Sequence, residues 1–217
     1  MTGSPSPARS PERLTLTGRY TRLEPIGPRH ASDLFRAASG DEPRFAYLFE
    51  SAPPTERAMA EWIDRVRSKD DPLTFAVVDL ATGRAEGRQS LMRITPEHGV
   101  VELGGIYWGP AISRTRVTTE AFFLAARYIF DELGYRRFEW KCNNRNEPSK
   151  AAARRFGFQF EGIFRQHMIV KGESRDTAWF SIIDSEWPPI RAEFERWLDP
   201  DNFDAEGREK TKLRTRG

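Results

Sequence analysis

The chain has 217 residues, of which 38% are hydrophobic and 30% charged, with a formal net charge of +2. That composition is typical of one globular domain, and no apolar run approaches the roughly 18–20 residues of a membrane span. The N-terminus has no apolar stretch of the kind found in a signal peptide. The single cysteine, Cys142, cannot form an internal disulfide, so a cytoplasmic location is expected.

Both ends of the chain differ in composition from the middle. Residues 1–13 are rich in proline and serine, which predicts a disordered leader. Residues 199–217 predict a flexible basic tail, with cations at Arg208, Lys210, Lys212, Arg214 and Arg216. A nucleic acid is one candidate partner for such a tail. No aromatic residue lies among these charges to stack on bases, so a solvated tail is the favoured interpretation.

The N-terminal half predicts a strand, two helices and three further strands. Residues 14–24 alternate loosely and predict the first strand. One helix is predicted after Pro28 and another after Thr55, which is a typical N-cap residue. Residues 73–80, 89–95 and 100–108 predict strands joined by turns at 81–84 and 96–99, which together form an antiparallel meander.

The C-terminal half changes to alternating helices and strands. Apolar residues recur at helical spacing over 118–133, and Gly134 is a typical C-cap. A strand at 138–142, a helix at 148–156, a hairpin of 158–170 with 177–183 and a closing helix at 187–198 follow. Because a long helix between two strands permits a parallel crossover, the order predicts a mixed α/β fold, with a mixed sheet covered by helices.

The passage from the strand that ends at Trp108 to the helix near Thr118 predicts an anion site. Free backbone N–H groups at a helix N-terminus attract phosphate. Arg114 and Arg116 lie at this helix start, where the helix dipole disfavours cations. A bound anion would account for them, and two solvated arginines are the alternative interpretation.

Gly104 and Gly105 interrupt an otherwise regular strand, which is typical of a bulge or of close approach by a ligand. Glu102 is expected on the same strand face as Gly104 and Ile106, by the period of two. It is the best candidate for a general base at this place in the strand. The alternative is an edge glutamate that faces water.

Polar side chains follow the next strand directly. Asn143, Asn144 and Asn146 lie at a strand end before a helix, where ligands often bind. Asn146 is equally a candidate N-cap of that helix. Cys142 has no histidine nearby in sequence and is interpreted as a buried thiol rather than a nucleophile. The three histidines lack metal-ligand spacing, so no metal site is predicted.

Three stretches, 102–137, 141–166 and 171–188, resemble in order and spacing the GNAT acyltransferase superfamily, and in particular its Rim-type branch, named for ribosomal-protein alanine acetyltransferases. The matching motifs are Thr119-Glu120-Ala121 and Asn146-x-x-Ser149 ahead of Gly157-Phe158. The similarity covers residues 14–198, which are expected to form one GNAT acyltransferase domain. It implies a mostly antiparallel central sheet flanked by helices and splayed between the fourth and fifth strands.

The resemblance also implies where acyl-CoA binds. The backbone near Ile106, Tyr107 and Trp108 would hold the pantetheine arm and polarise the thioester carbonyl. The loop and helix start would hold the pyrophosphate, through Arg114, Arg116, Val117, Thr118 and Thr119. Further hydrogen bonds to the coenzyme would come from Asn143, Asn146 and Ser149.

Two positions depart from the family pattern. The loop at 113–118 lacks the two glycines of the family's phosphate-binding motif, and Arg114 and Arg116 are expected to offset their loss. Ala153 stands where many GNAT enzymes carry a tyrosine acid. Tyr107 or a water would then serve as the acid, or the thiolate would leave unprotonated.

The sequence thus predicts an N-acyltransferase that uses acetyl-CoA or a similar acyl-CoA on a primary amine of a protein N-terminus or a small molecule. Acidic side chains in the N-terminal helices either attract a cationic amine or face solvent: Asp41, Glu42, Glu50 and Glu56. A non-catalytic CoA-binding module and a nucleic-acid-binding protein are the alternatives. No membrane partner is expected, and a homodimer is expected because many relatives pair.

Overall fold

The computed structural model describes residues 7–216. Its strands are β1 (Leu16–Thr17), β2 (Thr21–Pro25), β3 (Leu73–Asp79), β4 (Arg84–Thr95), β5 (Val100–Trp108), β6 (Arg137–Asn143), β7 (Gln159–Val170) and β8 (Glu173–Ile183). Its α-helices are α1 (Ala31–Ala38), α2 (Glu56–Val66), α3 (Arg116–Arg127), α4 (Glu147–Arg155) and α5 (Trp187–Trp197). A π-helical turn, Tyr128–Glu132, extends α3. Within these residues no helix has the length and apolar character that crossing a bilayer requires.

The strands form one mixed sheet in the order β1-β2-β3-β4-β5-β6-β8-β7. Every neighbouring pair is antiparallel except β5 and β6, which α3 connects as a crossover. The parallel pair extends only from Val100 to Glu102 on β5, and the strands then separate. The predicted mixed, mostly antiparallel sheet, splayed between these two strands, is therefore confirmed.

Helices bury both faces of the sheet. α3 and α5 cover one face and form the main core, which includes Phe122, Phe138 and Phe194. α1 and α2 cover the other face and form the second core, which includes Leu34 and Ile63. Because both faces of β3 are buried, its sequence is a continuous apolar run rather than an alternating one.

The predicted first strand is in fact two short strands joined by a turn. Glu120 of α3 holds that turn, because its carboxylate accepts hydrogen bonds from the backbone N–H groups of Arg19, Tyr20 and Thr21 at 2.8, 2.6 and 2.8 Å. Glycine is required at position 18, where a Cβ would lie 2.4 Å from Glu120 Cδ. The Glu120 of the Thr-Glu-Ala motif is thus a structural anchor between the sheet edge and α3.

The described part of the N-terminal segment differs from the expected disordered leader. The amide of Ala8 donates to Pro96 O at 2.9 Å, and that of Glu12 donates to the hydroxyl of Tyr128 at 3.0 Å. Arg13 pairs with Asp70 across 2.5 Å. Residues 7–13 therefore pack on the domain, whereas residues 1–6 of the leader lie outside the described residues.

The C-terminal segment also differs from the expected flexible tail. Phe203 is buried in the main core, and Trp197 Nε1 donates to Glu209 Oε2 at 2.7 Å. Two of its cations are neutralised locally, Arg208 by Asp204 at 2.7 Å and Arg216 by Glu186 at 2.9 Å. This pairing reduces the positive charge available for a nucleic acid.

Glu24 of β2 anchors a buried ion cluster on the second-core side. Its carboxylate lies 2.5 Å from Arg22 Nη2, 2.6 Å from Arg29 Nη2 and 3.0 Å from His30 Nε2. Burial alone would raise the pKa of Glu24, but the hydrogen bonds from His30, Arg29 and Arg22 outweigh it and lower the pKa to about 2. Burial also lowers the pKa of His30, so the ring is neutral at pH 7.

We expect Glu24 to make stability depend on pH. A depressed folded pKa stabilises the fold above the ordinary value of 4.5, and this contribution is lost as the pH falls toward 2. Glu24→Gln should therefore lower the free energy of unfolding by about 2 kcal/mol at pH 7, and by progressively less as the pH falls to 3. Urea unfolding followed by circular dichroism measures both values, and an equal loss at both would contradict the assignment.

Candidate active site

A wedge-shaped cleft opens where β5 and β6 separate. β5 continues to Trp108 and β6 to Asn143, but their pairing ends at Glu102 and Glu139. Beyond that point the facing backbone edges of the two strands are not bonded to each other, which leaves room and hydrogen-bonding groups for an extended ligand. The N-terminus of α3 and the loop that ends β6 flank this opening.

A bulge at Gly104 and Gly105 shapes the β5 side of the cleft. Three residue steps on β5 oppose two on β4 here, and Gly105 has a φ of +58°. A Cβ at position 104 would lie 2.4 Å from Met92 Sδ, so any larger residue there would displace the Met92 side chain. Arg88 Nη1 donates to Gly105 O at 2.6 Å and fixes the distorted backbone. The predicted bulge is present.

The bulge corrects the expected side-chain alternation along β5. Ile106 and Trp108 pack against the main core, whereas Tyr107 lies in the second core. Ile106 therefore does not share a face with Glu102, as the strict period of two predicted, because the extra residue reverses the alternation. The backbone of Ile106, Tyr107 and Trp108 still borders the opened part of the cleft.

Glu102 is buried at the fork of the two strands and is bound by two cations. Arg93 Nη1 lies 2.6 Å and Lys141 Nζ 2.8 Å from its Oε2. Lys141 also lies 2.6 Å from Glu139 and 4.1 Å from the centre of the Trp179 ring. These four side chains (Glu102, Glu139, Lys141 and Trp179) define what we call the charged face. Glu102 is not the water-facing edge glutamate of the alternative interpretation.

The side chain of Tyr107 points away from the cleft. Its hydroxyl lies 2.7 Å from Ala37 O and 2.8 Å from Asp41 Oδ2, and its ring stacks on Phe45. Burial, then the hydrogen bond to Asp41, raises the pKa of Tyr107 well above its usual range. This position does not favour the expected role as an acid, because the only proton is already committed to the α1 side.

The α3 N-terminus follows β5 and carries backbone N–H groups that are not bonded within the described residues. Thr115 is the N-cap, and its Oγ1 accepts from the amide of Val117 at 3.2 Å. The amides of Arg116 and Thr118 donate to no acceptor in residues 7–216. Arg114 is exposed and has a φ of +62°, so an arginine occupies a left-handed conformation that glycine would favour.

Arg116 and the threonines of this helix have structural contacts. The Arg116 guanidinium stacks 4.3 Å from the ring centre of Tyr20 and 5.2 Å from that of Phe203. Thr118 and Thr119 are buried, and their hydroxyls donate to Thr115 O. Arg114 is therefore the arginine left available for an anion, and of the two threonines only Thr118 has an amide without an acceptor in residues 7–216, because that of Thr119 donates to Thr115 O at 3.3 Å.

The polar residues after β6 hold the local backbone. Asn143 Oδ1 accepts from the amide of Arg145 at 2.9 Å, and Asn146 Oδ1 accepts from that of Ser149 at 3.1 Å. Asn146 is thus the N-cap of α4. Ser149 Oγ accepts from Trp140 Nε1 at 3.0 Å.

Cys142 is buried and faces the main core. Burial raises the pKa of its thiol, which keeps the sulfur protonated and disfavours a role as nucleophile. No three His, Cys, Asp or Glu side chains group as a metal ion would require in the part of the chain that the structure describes.

Two residues of the cleft were not predicted from the sequence. Arg88 on β4 and Lys141 on β6 reach β5 only in the folded sheet, Arg88 at Gly105 O and Lys141 at Glu102. Of the acidic residues expected to attract an amine, Asp41 pairs with Arg44 at 2.8 Å and Glu50 pairs with Arg88. These two carboxylates are therefore neutralised by their own neighbours, whereas Glu42 and Glu56 are exposed.

The class of fold is defined by two features: a mixed sheet that opens between two parallel strands, and a helix N-terminus with unbonded amides beside that opening. The chain belongs to the acetyltransferase (GNAT) domain family, whose model matches residues 21–159. A crystal structure of a GCN5-related N-acetyltransferase from Brucella melitensis is 55% identical, covers 95% of each chain and superimposes with a TM-score of 0.93. The protein is an N-acetyltransferase of this family.

More distant relatives share less sequence with this chain. The uncharacterized N-acetyltransferase p20 of Bacillus licheniformis is 27% identical over 135 residues, which is 60% of this chain and 73% of the relative. The structure of the ribosomal-protein-S5-alanine acetyltransferase of Vibrio fischeri has a TM-score of 0.65 at 16% identity, covering 81% of this chain and 100% of that one. That likeness shows a shared fold alone, so the Rim-type branch stays a prediction.

Proposed function

We propose that the protein transfers an acetyl group from acetyl-CoA directly to a primary amine in the cleft between β5 and β6. The observation that carries the proposal is the separation of these strands at Glu102, with a fixed bulge on one side and free helix amides at the end of the opening. An extended coenzyme arm fits between unpaired strand edges, as a strand would.

In the proposed reaction the amine nitrogen attacks the thioester carbonyl and forms the amide bond. Before this attack Glu102 takes one proton from the ammonium group, directly or through a water. When the carbon–sulfur bond breaks, the CoA thiolate leaves and the second proton passes from the nitrogen to the thiolate or to water. The backbone N–H groups near Ile106, Tyr107 and Trp108 stabilise the developing oxyanion. A thiol with a pKa near 8.5 leaves without a dedicated acid, which fits the contacts that occupy Tyr107 and the alanine at 153.

The coenzyme is held at two further places in this proposal. Its pyrophosphate accepts from the free amides of Arg116 and Thr118 and pairs with Arg114. The pantetheine bonds to the amide groups of Asn143 and Asn146, whose side-chain N–H groups have no acceptor in residues 7–216. Val117, Thr119 and Ser149 position the neighbouring donors in this proposal without a hydrogen bond of their own to the ligand.

Calorimetry with acetyl-CoA tests the coenzyme site and separates the two arginines. We expect micromolar binding, and Arg114→Gln should raise the Kd roughly tenfold, or ~1.4 kcal/mol. Arg116→Gln is the matched control, because its side chain stacks on Tyr20 and should leave the Kd within about twofold. Wild-type protein that binds no acetyl-CoA at millimolar concentration would overturn the proposal.

The expected homodimer stays a prediction, and the edge strand β7 supports it. Phe160 and Ile163 are exposed there at 44% and 43%, on an unpaired edge of the sheet. Exposed apolar side chains on an edge strand favour association. Sedimentation equilibrium, with Ile163→Lys as the disrupting variant, measures the oligomeric state.

A further inference from the structure

Arg175 on β8 is a buried cation whose guanidinium has no hydrogen-bond or ion-pair partner among the described residues. Its exposure is 7%, and none of its guanidinium nitrogens donates to a group in residues 7–216. Its Nε is fully buried and unsatisfied. Burial lowers the pKa of Arg175, and the charge of Glu102 acts in the opposite direction. A buried guanidinium without hydrogen bonds is costly, so such a group is expected to have a ligand.

The surrounding charges do not supply that ligand. Arg93, Glu102, Lys141, Glu139, Arg137 and Glu161 form a chain of ion pairs in which three positive and three negative groups alternate. Arg88 is paired with Glu50. The chain of ion pairs from Arg93 to Glu161 is thus balanced, and Arg175, which is not part of it, leaves one positive charge for an anion that comes from outside.

The pairing of the strands places Arg175 beside the cleft. Thr177 and Trp179 of β8 pair with Asn143 and Lys141 of β6. Because side chains alternate along a strand, Arg175 lies on the same side of the sheet as Trp179, just beyond the end of β6. An anion bound at Arg175 therefore lies within the reach of a small molecule whose amine approaches Glu102.

Aromatic side chains border the same place. The Arg175 guanidinium lies 5.3 Å from the ring centre of Phe49. The ring centres of Phe164 and Trp179 are 4.4 Å apart. Phe49 and Phe164 are each 52% exposed. Trp179 Nε1 is a second buried donor without an acceptor in the described chain. The surroundings of Arg175 thus combine one cation with apolar walls and a spare N–H donor.

The segment 45–50 closes over this region from the α1 side. Tyr47 donates to Arg145 O at 3.3 Å, and Lys171 Nζ donates to Phe45 O at 2.8 Å. The segment therefore bridges from the second core to the loops that follow β6 and β7. Phe49 of this segment lies over the Arg175 guanidinium, so the segment lines the space beside it.

We propose that Arg175 binds the carboxylate of the acceptor, and that the acceptor is a small amine that carries a carboxylate and an apolar body, such as an apolar α-amino acid. The inference rests on the proposed acetyl transfer. A guanidinium matches a carboxylate through two parallel N–H···O bonds, which orients the amine as well as binding it. A carboxylated acyl group on the coenzyme would present the same chemistry from the other side of the cleft.

Matched acceptor pairs test the proposal by release of the CoA thiol. Phenylalanine and methionine are compared with their amides and with phenethylamine, using acetyl-CoA. We expect the carboxylated acceptors to have kcat/KM values about 10- to 100-fold higher, and Arg175→Gln to remove that preference. Arg65→Gln, which makes the same charge change at an exposed position of α2, should keep it. Binding of each amino acid to CoA-saturated protein, measured by calorimetry, gives the same comparison without turnover.

The outcomes separate this inference from the proposed function. If wild type and Arg175→Gln bind acetyl-CoA equally and only the variant loses amino-acid binding, both the proposed acetyl transfer and the role of Arg175 are supported. Acetyl-CoA binding without any preference for carboxylated acceptors in either assay overturns the role of Arg175 alone. A preference for succinyl-CoA with neutral amines, lost in Arg175→Gln, assigns the anion to the acyl group and overturns the acceptor assignment. Failure to bind acetyl-CoA overturns both.

Discussion

Glu102→Gln is expected to lower kcat by about 10²- to 10⁴-fold at pH 7, the range that a positioned general base supplies. The amide keeps the shape of the carboxylate and one acceptor for Arg93, so the fold should persist. It cannot take the proton of the attacking amine. An alkyl amine with a pKa near 10 is almost entirely protonated at pH 7, so the loss of a base should act on kcat rather than on acetyl-CoA binding.

The pH profile distinguishes a base from a structural residue. As the pH approaches 9.5 the free amine becomes abundant in solution, and the rates of the variant and the wild type should converge. Glu139→Gln is the matched control, because it also removes a carboxylate from Lys141, but its residue pairs with Glu102 from β6 and is not on the bulged strand β5. A fall that is independent of pH, or an equal fall in both variants, would assign Glu102 to structure alone.

Local patterns along the chain are enough to predict most of the fold. The meander, the crossover helix and the hairpin each have a local period or a turn residue that marks them. The start of β4 was not predicted, because the segment from Arg84 to Arg88 is charged and contains a glycine. Only its pairing with β3 and β5 makes it a strand. The ordered parts of the N- and C-terminal segments were not predicted for a related reason. Ala8 and Phe203 are held by residues that are distant in sequence.

The candidate site can be predicted only where a sequence pattern within one segment indicates it. The glycine pair of β5, the start of α3 and the cap of α4 are all local, and each was found at its place. The ion chain from Arg93 to Glu161 is assembled from four strands, and no spacing in the sequence connects its members. The same is true of Arg175, whose significance lies in the partner that it lacks. Single-sequence patterns do not encode pairing across a sheet.

Glu120→Ala should destabilise the protein by about 3–5 kcal/mol, because three backbone N–H groups lose an ionised acceptor at once. Thr21 is fully buried, so its amide cannot turn to solvent without opening the sheet edge. Urea unfolding at pH 7, followed by circular dichroism, measures the change. Glu61→Ala on α2 is the control, since that exposed carboxylate lies 3.6 Å from Arg57 and should contribute less than about 0.5 kcal/mol.

A double-mutant cycle with position 18 shows whether this loss comes from the turn itself. Gly18→Ala alone should be strongly destabilising, because its Cβ would lie 2.4 Å from Glu120 Cδ. In the Glu120→Ala background that overlap is gone, so the same substitution should cost much less. A coupling free energy of about 1–3 kcal/mol is therefore expected. Additive losses would mean that Glu120 stabilises α3 without holding the turn between β1 and β2.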